Sequence, residues 1–219
     1  MKDAIESLGV PHTEVELILV NGESSDFSRI LSEGDRVSVY PVFEAFDIGP
    51  LVRLRPEPLR QTRFLLDGHL GRLARYLRMV GFDSAYDRNA EDEALARLSV
   101  SERRILLTRD RGLLKRREVT HGYWVRQTDA RKQLSEVVRR FDLAGRLRPF
   151  TRCLRCNAEL HAAAKIDVAS QLPPRTRDCY QEFLRCGGCG NVYWQGPHHR
   201  RMLAMIEELK AQAVSLPPQ

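Results

Sequence analysis

The spacing of apolar and polar positions changes character twice along the chain, and the changes divide it into blocks. At the start, residues 3–8 read as a short helix closed by Gly9. An apolar run over 15–20 reads as a strand ending in the turn pair Asn21-Gly22. Phe27, Ile30 and Leu31 form a small apolar patch. Gly34-Asp35 then turns into a strand over 36–40, where Val37 and Val39 face one side and Arg36, Ser38 and Tyr40 the other. This predicts a small α+β block over 1–48. Residues 49–62, with Pro50, Pro56 and Pro58 among arginines, read as a linker.

From 63 to 148 the pattern alternates between short apolar runs and helical periodicity. Phe64-Leu65-Leu66 is a buried strand. Leu70, Leu73, Ala74, Leu77 and Val80 share one helical face, with Arg72, Arg75 and Arg78 elsewhere, and Gly81 stops the helix. A strand near 84–86, a helix near 91–98, a strand over 104–108 and a basic helix over 111–117 follow. A strand over 123–125 and a helix over 131–141 complete the block. Four strand–helix repeats predict a parallel, doubly wound α/β sheet flanked by helices, with right-handed crossovers. A third block, 149–213, has few long apolar runs. It closes with a helix over about 199–213 that places Met202, Leu203, Ile206 and Leu209 on one side, before a frayed tail at 217–219.

That third block carries two Cys-x-x-Cys pairs, Cys153/Cys156 and Cys186/Cys189, separated by 29 residues. A two-residue gap lets both thiolates of a tight turn point at one tetrahedral ion, and Gly187, Gly188 and Gly190 suit such a turn. A redox pair accounts for one Cys-x-x-Cys but not for two. The four thiolates therefore predict a structural Zn²⁺ with a closed shell, which stabilises rather than catalyses. Cys179 is left as a free or buried thiol. With the shell closed, His198 and His199 read as helix-start or phosphate-facing residues.

Charge sharpens the division. The chain has 219 residues and a net charge of +6, but residues 1–50 carry −7, residues 51–148 carry +10 and residues 149–219 carry +3. An arginine-rich middle suits a polyanion, because guanidinium forks match phosphate oxygens; the plainer reading is a solvated basic surface. No run approaches the roughly 18 apolar residues of a membrane helix and the first residues have no signal-peptide core, so a cytoplasmic protein is expected, with no membrane partner.

In a parallel sheet, ligands collect beyond the carboxyl ends of the strands. Asp67 follows the first strand of the middle block and Asp110 the third; Asp129 lies a few residues beyond the fourth, and Asp92 or Glu93 opens the second helix. Carboxylates converging there can hold Mg²⁺ or Mn²⁺ for phosphodiester hydrolysis. Each also has a structural reading: Asp67, Asp110 and Asp129 are placed to cap the helices that follow them, and Asp92 and Glu93 suit a helix N-terminus.

The run Phe64-Leu65-Leu66-Asp67, then 70–78 (LGRLARYLR) and Gly81-Phe82-Asp83, resembles the opening of the Mut-seven C-terminal RNase domain family. So do 105–110 (ILLTRD), Arg152-Cys153 through Cys156-Asn157, and Cys186 through Tyr193-Trp194-Gln195-Gly196-Pro197-His198. The resemblance covers residues ~62–205 in motif order. It implies a PIN-like nuclease fold over 63–148, a zinc ribbon at its C-terminal end, and metal-dependent RNA cleavage with Asp67 and Asp110 at the acidic positions. Asp92, Glu93 and Asp129 match less sharply. RNA is the implied partner, with no small-molecule cofactor, and Arg72, Arg75, Arg109, Arg111, Lys115, His198 and His199 are the residues expected to hold it.

The N-terminal block, through Leu17-Ile18-Leu19-Val20-Asn21-Gly22 and 34–41 (GDRVSVYP), is similar to the ubiquitin-like β-grasp of sulfur carriers. Sulfur carriers end in a free Gly-Gly, whereas here the chain continues through Ile48-Gly49-Pro50. With Met1 almost at the first helix, a partial β-grasp is expected, truncated or begun upstream, and the exposed strand edge of a truncated one favours self-association or disorder. Two functions from different classes stand: a metal-dependent ribonuclease, and a non-catalytic RNA-binding adaptor whose carboxylates only cap helices.

Overall fold

A computed structural model describes residues 1–41 and 62–214. The predicted linker therefore lies almost wholly outside the described residues, as does the predicted tail. Along the chain run α1 (Lys2–Ser7), β1 (Leu17–Val20), β2 (Glu23–Ser25), β3 (Val37–Tyr40), β4 (Phe64–Leu66), α2 (Gly71–Met79), β5 (Ser84–Tyr86), α3 (Asp92–Ser101) and β6 (Ile105–Thr108). Next come α4 (Arg111–Lys115), β7 (Gly122–Trp124), α5 (Ala130–Arg140), β8 (Leu160–Ala163), α6 (Lys165–Val168), α7 (Pro174–Cys179), β9 (Phe183–Cys186), β10 (Val192–Trp194) and α8 (Pro197–Val214). None of these helices is long and apolar enough to cross a membrane.

The architecture is α/β, as the strand–helix alternation predicts. Strands β5-β4-β6-β7 form the four-stranded parallel sheet, and β2-β1-β3 and β10-β9-β8 form two small antiparallel sheets. Registers in the large sheet are regular: Leu65 lies opposite Leu106, and Leu107 opposite Tyr123. Both β4 and β6 are buried along their whole length, which is why they read as continuous apolar runs rather than alternating ones. The chain separates into two compact units, residues 1–71 with 86–126, and residues 72–85 with 127–219.

In the first unit, the turn at Asn21 (φ 55°) and Gly22 (φ 89°) reverses β1 into β2, a strand the apolar pattern does not signal because its residues are Glu23-Ser24-Ser25. Ile5, Val15, Ile18 and Val20 form the core of this block, with Phe27, Leu31, Val37 and Val39 packed on it. Ile30 is the exception to the predicted patch: it is 89% exposed. The short turn His12–Glu14 packs against α4 and β7. There the His12 ring lies 3.0 Å from the Val119 carbonyl, and Glu14 accepts the Trp124 amide at 2.8 Å and the Arg126 guanidinium at 3.0 Å.

In the second unit, α2 buries Leu73, Ala74, Leu77 and Met79, but also Arg78. That corrects the expectation that Arg78 shares the solvent side with Arg72 and Arg75. Its guanidinium donates to the carbonyls of Ser84 (2.9 Å), Leu154 (3.2 Å) and Arg155 (2.9 Å), so burial leaves the charge hydrogen-bonded. Helix α8 packs against α5 and buries Met205, Ile206 and Leu209. Leu203, expected on that face, is 38% exposed, because Met205 rather than Leu203 falls on the packed stripe.

Candidate functional site

The carboxyl ends of β4 and β6 bring Asp67 and Asp110 into one hydrogen-bonded arrangement. Parallel pairing aligns the ends of the two strands, and the Asp67 amide extends the ladder by donating to the Leu107 carbonyl at 3.1 Å. Thr108 ends β6 between them. Its hydroxyl donates to Asp67 Oδ2 at 2.6 Å and accepts the Asp110 amide at 2.9 Å. Asp67 Oδ1 accepts the His69 amide at 2.9 Å, and the His69 ring nitrogen Nδ1 lies 3.0 Å from the same oxygen. Burial pushes the Asp67 carboxyl up, but the hydrogen bonds from Thr108 and His69 outweigh it and hold the group below its ordinary value. Asp67 is thus a buried, ionised and fixed carboxylate.

The loop after β4 is tightly built. A Cβ on Gly68 would meet the Arg88 carbonyl oxygen at 2.7 Å, and one on Gly71 would meet the Tyr86 hydroxyl at 2.6 Å. The Tyr86 hydroxyl donates to the Gly68 carbonyl at 3.0 Å, closing the loop over this end of the sheet. Asp110 is exposed; its Oδ1 accepts the Gly112 amide at 2.6 Å and caps α4. Asp129 likewise caps α5, accepting the amides of Arg131 (3.0 Å) and Lys132 (3.1 Å). Asp92 and Glu93 stand exposed in the first turn of α3, with Glu93 paired to Arg97 at 3.1 Å.

Among the cations expected to hold RNA, Arg111 stacks 3.8 Å over the Trp124 ring, and the Trp124 indole donates to the Arg109 carbonyl at 3.2 Å. Lys115 is exposed in the last turn of α4. In the second unit Arg72, Arg75 and His198 are exposed, while His199 packs its ring 4.3 Å from that of Phe150. Burial lowers the pKa of His199. Sequence reasoning missed Thr108 and His69, whose one signal is a hydroxyl ending an otherwise apolar strand and a histidine two residues beyond the first aspartate. It also missed Glu14.

The four cysteines come together as the two pairs predict. The sulfurs of Cys153, Cys156, Cys186 and Cys189 all lie within 4.8 Å of one another. Cys153 and Cys189 sulfurs are 3.6 Å apart and those of Cys156 and Cys186 3.3 Å. Four thiolates about 2.3 Å from a tetrahedral ion would stand roughly 3.8 Å apart, so the cluster fits a metal such as zinc. The Tyr193 hydroxyl, 3.1 Å from Cys153 Sγ, accepts the Leu154 amide at 3.1 Å and braces the first knuckle. Asn157 (φ 73°) completes that knuckle, donating to Asp83 at 2.7 Å and accepting the Ser84 amide at 2.8 Å. Cys179 is free and exposed. Among the described residues, the four cysteines are the one group of three or more potential ligands this close together.

A family model described as the Mut7-C RNAse domain matches residues 62–206, and one described as Mut7-C ubiquitin matches residues 1–47. No curated protein and no solved structure matches the chain. With a parallel sheet ending in Asp67 and Asp110, a four-cysteine cluster later in the sequence and a ubiquitin-like block earlier in it, this chain belongs to the Mut7-C RNAse domain family.

Proposed function

We propose that this protein is a metal-dependent ribonuclease that hydrolyses RNA phosphodiester bonds at the carboxylate edge of its parallel sheet. The observation that carries the reading is the Asp67–Thr108–Asp110 arrangement. A carboxylate buried at 7% exposure and still held ionised is prepared for a positive partner. Mg²⁺ or Mn²⁺ suits this donor set, because such ions take one or two carboxylates and fill their remaining positions with water and substrate phosphate. When bound, the ion would lower the pKa of a bound water and neutralise charge on the reacting phosphate. Asp67 and Asp110 would be its protein ligands; Thr108 fixes Asp67 and the backbone of Asp110. His69 holds the other Asp67 oxygen, and Arg109, Arg111 and Lys115 supply positive charge for the RNA backbone. Asp92, Glu93 and Asp129 are further candidates at helix starts. The four-cysteine site, filled by Zn²⁺, would have a closed shell and a structural role.

One observation favours the adaptor reading: Asp67, Asp110 and Asp129 all cap the helical turns that follow them. The assay that separates the two uses single-stranded and structured RNA, with and without Mn²⁺, beside the Asp67→Asn/Asp110→Asn protein. Cleavage that requires Mn²⁺ and disappears in the double variant supports the enzyme. Binding without cleavage would make the protein an adaptor, and equal cleavage by the variant would refute this site.

A further inference from the structure

The second unit contains a groove of about 1120 Å³ with a distinctive lining. Arg75 of α2, Arg131 of α5, Arg175 of α7 and Arg201 of α8 stand around it, and all four are exposed. None of their guanidinium groups has an ion-pair or hydrogen-bond partner among the described residues. No aspartate or glutamate is among the described lining residues. Between the arginines lie the half-buried rings of Tyr76, Tyr180, Tyr193 and Trp194. The base of the groove is formed by the ribbon: Tyr180 and Trp194 pack on the small core of Val168, Leu172 and Phe183, which fixes their rings.

Four uncompensated cations in one concavity repel one another and create a positive field that an anion relieves. Partly exposed aromatic rings in such a groove offer faces on which unpaired bases stack. A duplex keeps its bases paired inside, so it reaches the arginines without using the rings. We propose that this groove binds single-stranded RNA, with backbone phosphates on Arg75, Arg131, Arg175 and Arg201 and bases stacked on Tyr180 and Trp194. The choice of RNA among single-stranded polyanions rests on the ribonuclease reading; the groove itself does not depend on cleavage.

The test uses the full chain carrying Asp67→Asn, without added divalent ion, titrated into fluorescein-labelled oligouridylate of about ten nucleotides. Arg175→Glu combined with Arg201→Glu is expected to weaken binding at least tenfold. It should also flatten the slope of log affinity against log salt by about 1.4, since each phosphate contact on a single strand contributes about 0.7. Both residues are exposed, so an unchanged melting temperature verifies the fold. The chain has two tryptophans. With Trp124→Phe added, emission comes from Trp194 alone and is expected to be quenched as RNA saturates. Unchanged affinity and salt slope in the arginine variant would overturn the proposal, as would unquenched Trp194 emission at saturation. Duplex RNA binding as tightly as the single strand, or single-stranded DNA binding more tightly than RNA, would also overturn it. Because no cleavage is read, failure here leaves the ribonuclease reading standing, and a failed cleavage assay leaves the groove standing.

Discussion

The Thr108 hydroxyl donates a 2.6 Å hydrogen bond to Asp67 Oδ2 from the end of the neighbouring parallel strand, so the acidity of one strand end is set by its neighbour. Thr108 Oγ1 also accepts the Asp110 amide, so Thr108 ties the Asp67 carboxylate to the Asp110 backbone. Thr108→Val keeps the shape but removes both the donor and the acceptor. It is expected to cost about 1–3 kcal/mol at neutral pH, because a buried carboxylate oxygen loses its partner. The sign with pH follows from Asp67 lying below its ordinary value of 3.8. A depressed carboxylate adds stability above the unfolded-state pKa, and that stability is lost as pH falls through the folded one. The valine variant raises the folded value, so the deficit should be full at pH 7 and shrink below about pH 4. Urea unfolding at both pH values measures it, and a deficit independent of pH would dissociate Thr108 from the Asp67 charge.

At Asp110, capping and the proposed metal binding can be separated by choice of substitution. Asn caps a helix about as well as Asp, whereas Ala costs about 0.5–2 kcal/mol. Asp110→Asn should therefore leave the melting temperature of the protein nearly unchanged while lowering Mn²⁺-dependent cleavage about 100-fold or more, at or beyond the upper end of what losing outer-shell support costs. Asp110→Ala should lose both stability and cleavage. If the Asn variant cleaves RNA as well as the parent, Asp110 is a cap and nothing more.

The parts of this molecule legible in sequence are those where one physical demand dominates. Strands β4 and β6 are buried on both faces and read as unbroken apolar runs, and thiolate geometry leaves the cysteine pairs one economical reading. Where two demands overlap, the pattern misleads. Strand β2 is polar and held by a turn rather than by a hydrophobic face, so alternation does not reveal it. Arg78 sits beside Leu77 and Met79 in α2 and reads as solvent-facing; only the chain 76 residues further on supplies the Leu154 carbonyl that makes its burial tolerable. Thr108 was invisible for a related reason: a threonine in a strand is ordinary until the strand end beside it is known to carry a carboxylate.

Arg78 also ties α2 to the first cysteine knuckle. Removing it leaves the carbonyls of Leu154 and Arg155 without their donor just where Cys153 and Cys156 must converge. Arg78→Met is expected to destabilise the protein by about 2–4 kcal/mol and to weaken zinc retention, and Arg78→Lys should rescue little because an ammonium lacks the planar fork. In the parent, metal analysis should find one zinc per chain. Stripping it should expose the backbone amides of residues 151–197 to hydrogen exchange, since ligand binding and folding of such ribbons are one event. A chelated protein with unchanged protection there would refute the structural role.

Glu14 joins the ubiquitin-like block to β7 through two oxygens with different duties. Oε1 accepts the Trp124 amide at the end of the strand, and Oε2 pairs with Arg126. Glu14 is largely buried while the Arg126 side chain is 46% exposed, so the amide contact should outweigh the ion pair. Glu14→Gln retains an acceptor for the amide and forfeits only the charge, with an expected loss of about 0.5–1 kcal/mol. Glu14→Ala strands the Trp124 N–H and should cost about 1.5–3 kcal/mol, the range for hydrogen bonds to charged groups. Hydrogen exchange at the Trp124 amide reads the difference directly: faster exchange in the alanine variant than in the glutamine variant is expected. Equal exchange in the two would overturn the role of Glu14 as the acceptor of the Trp124 amide.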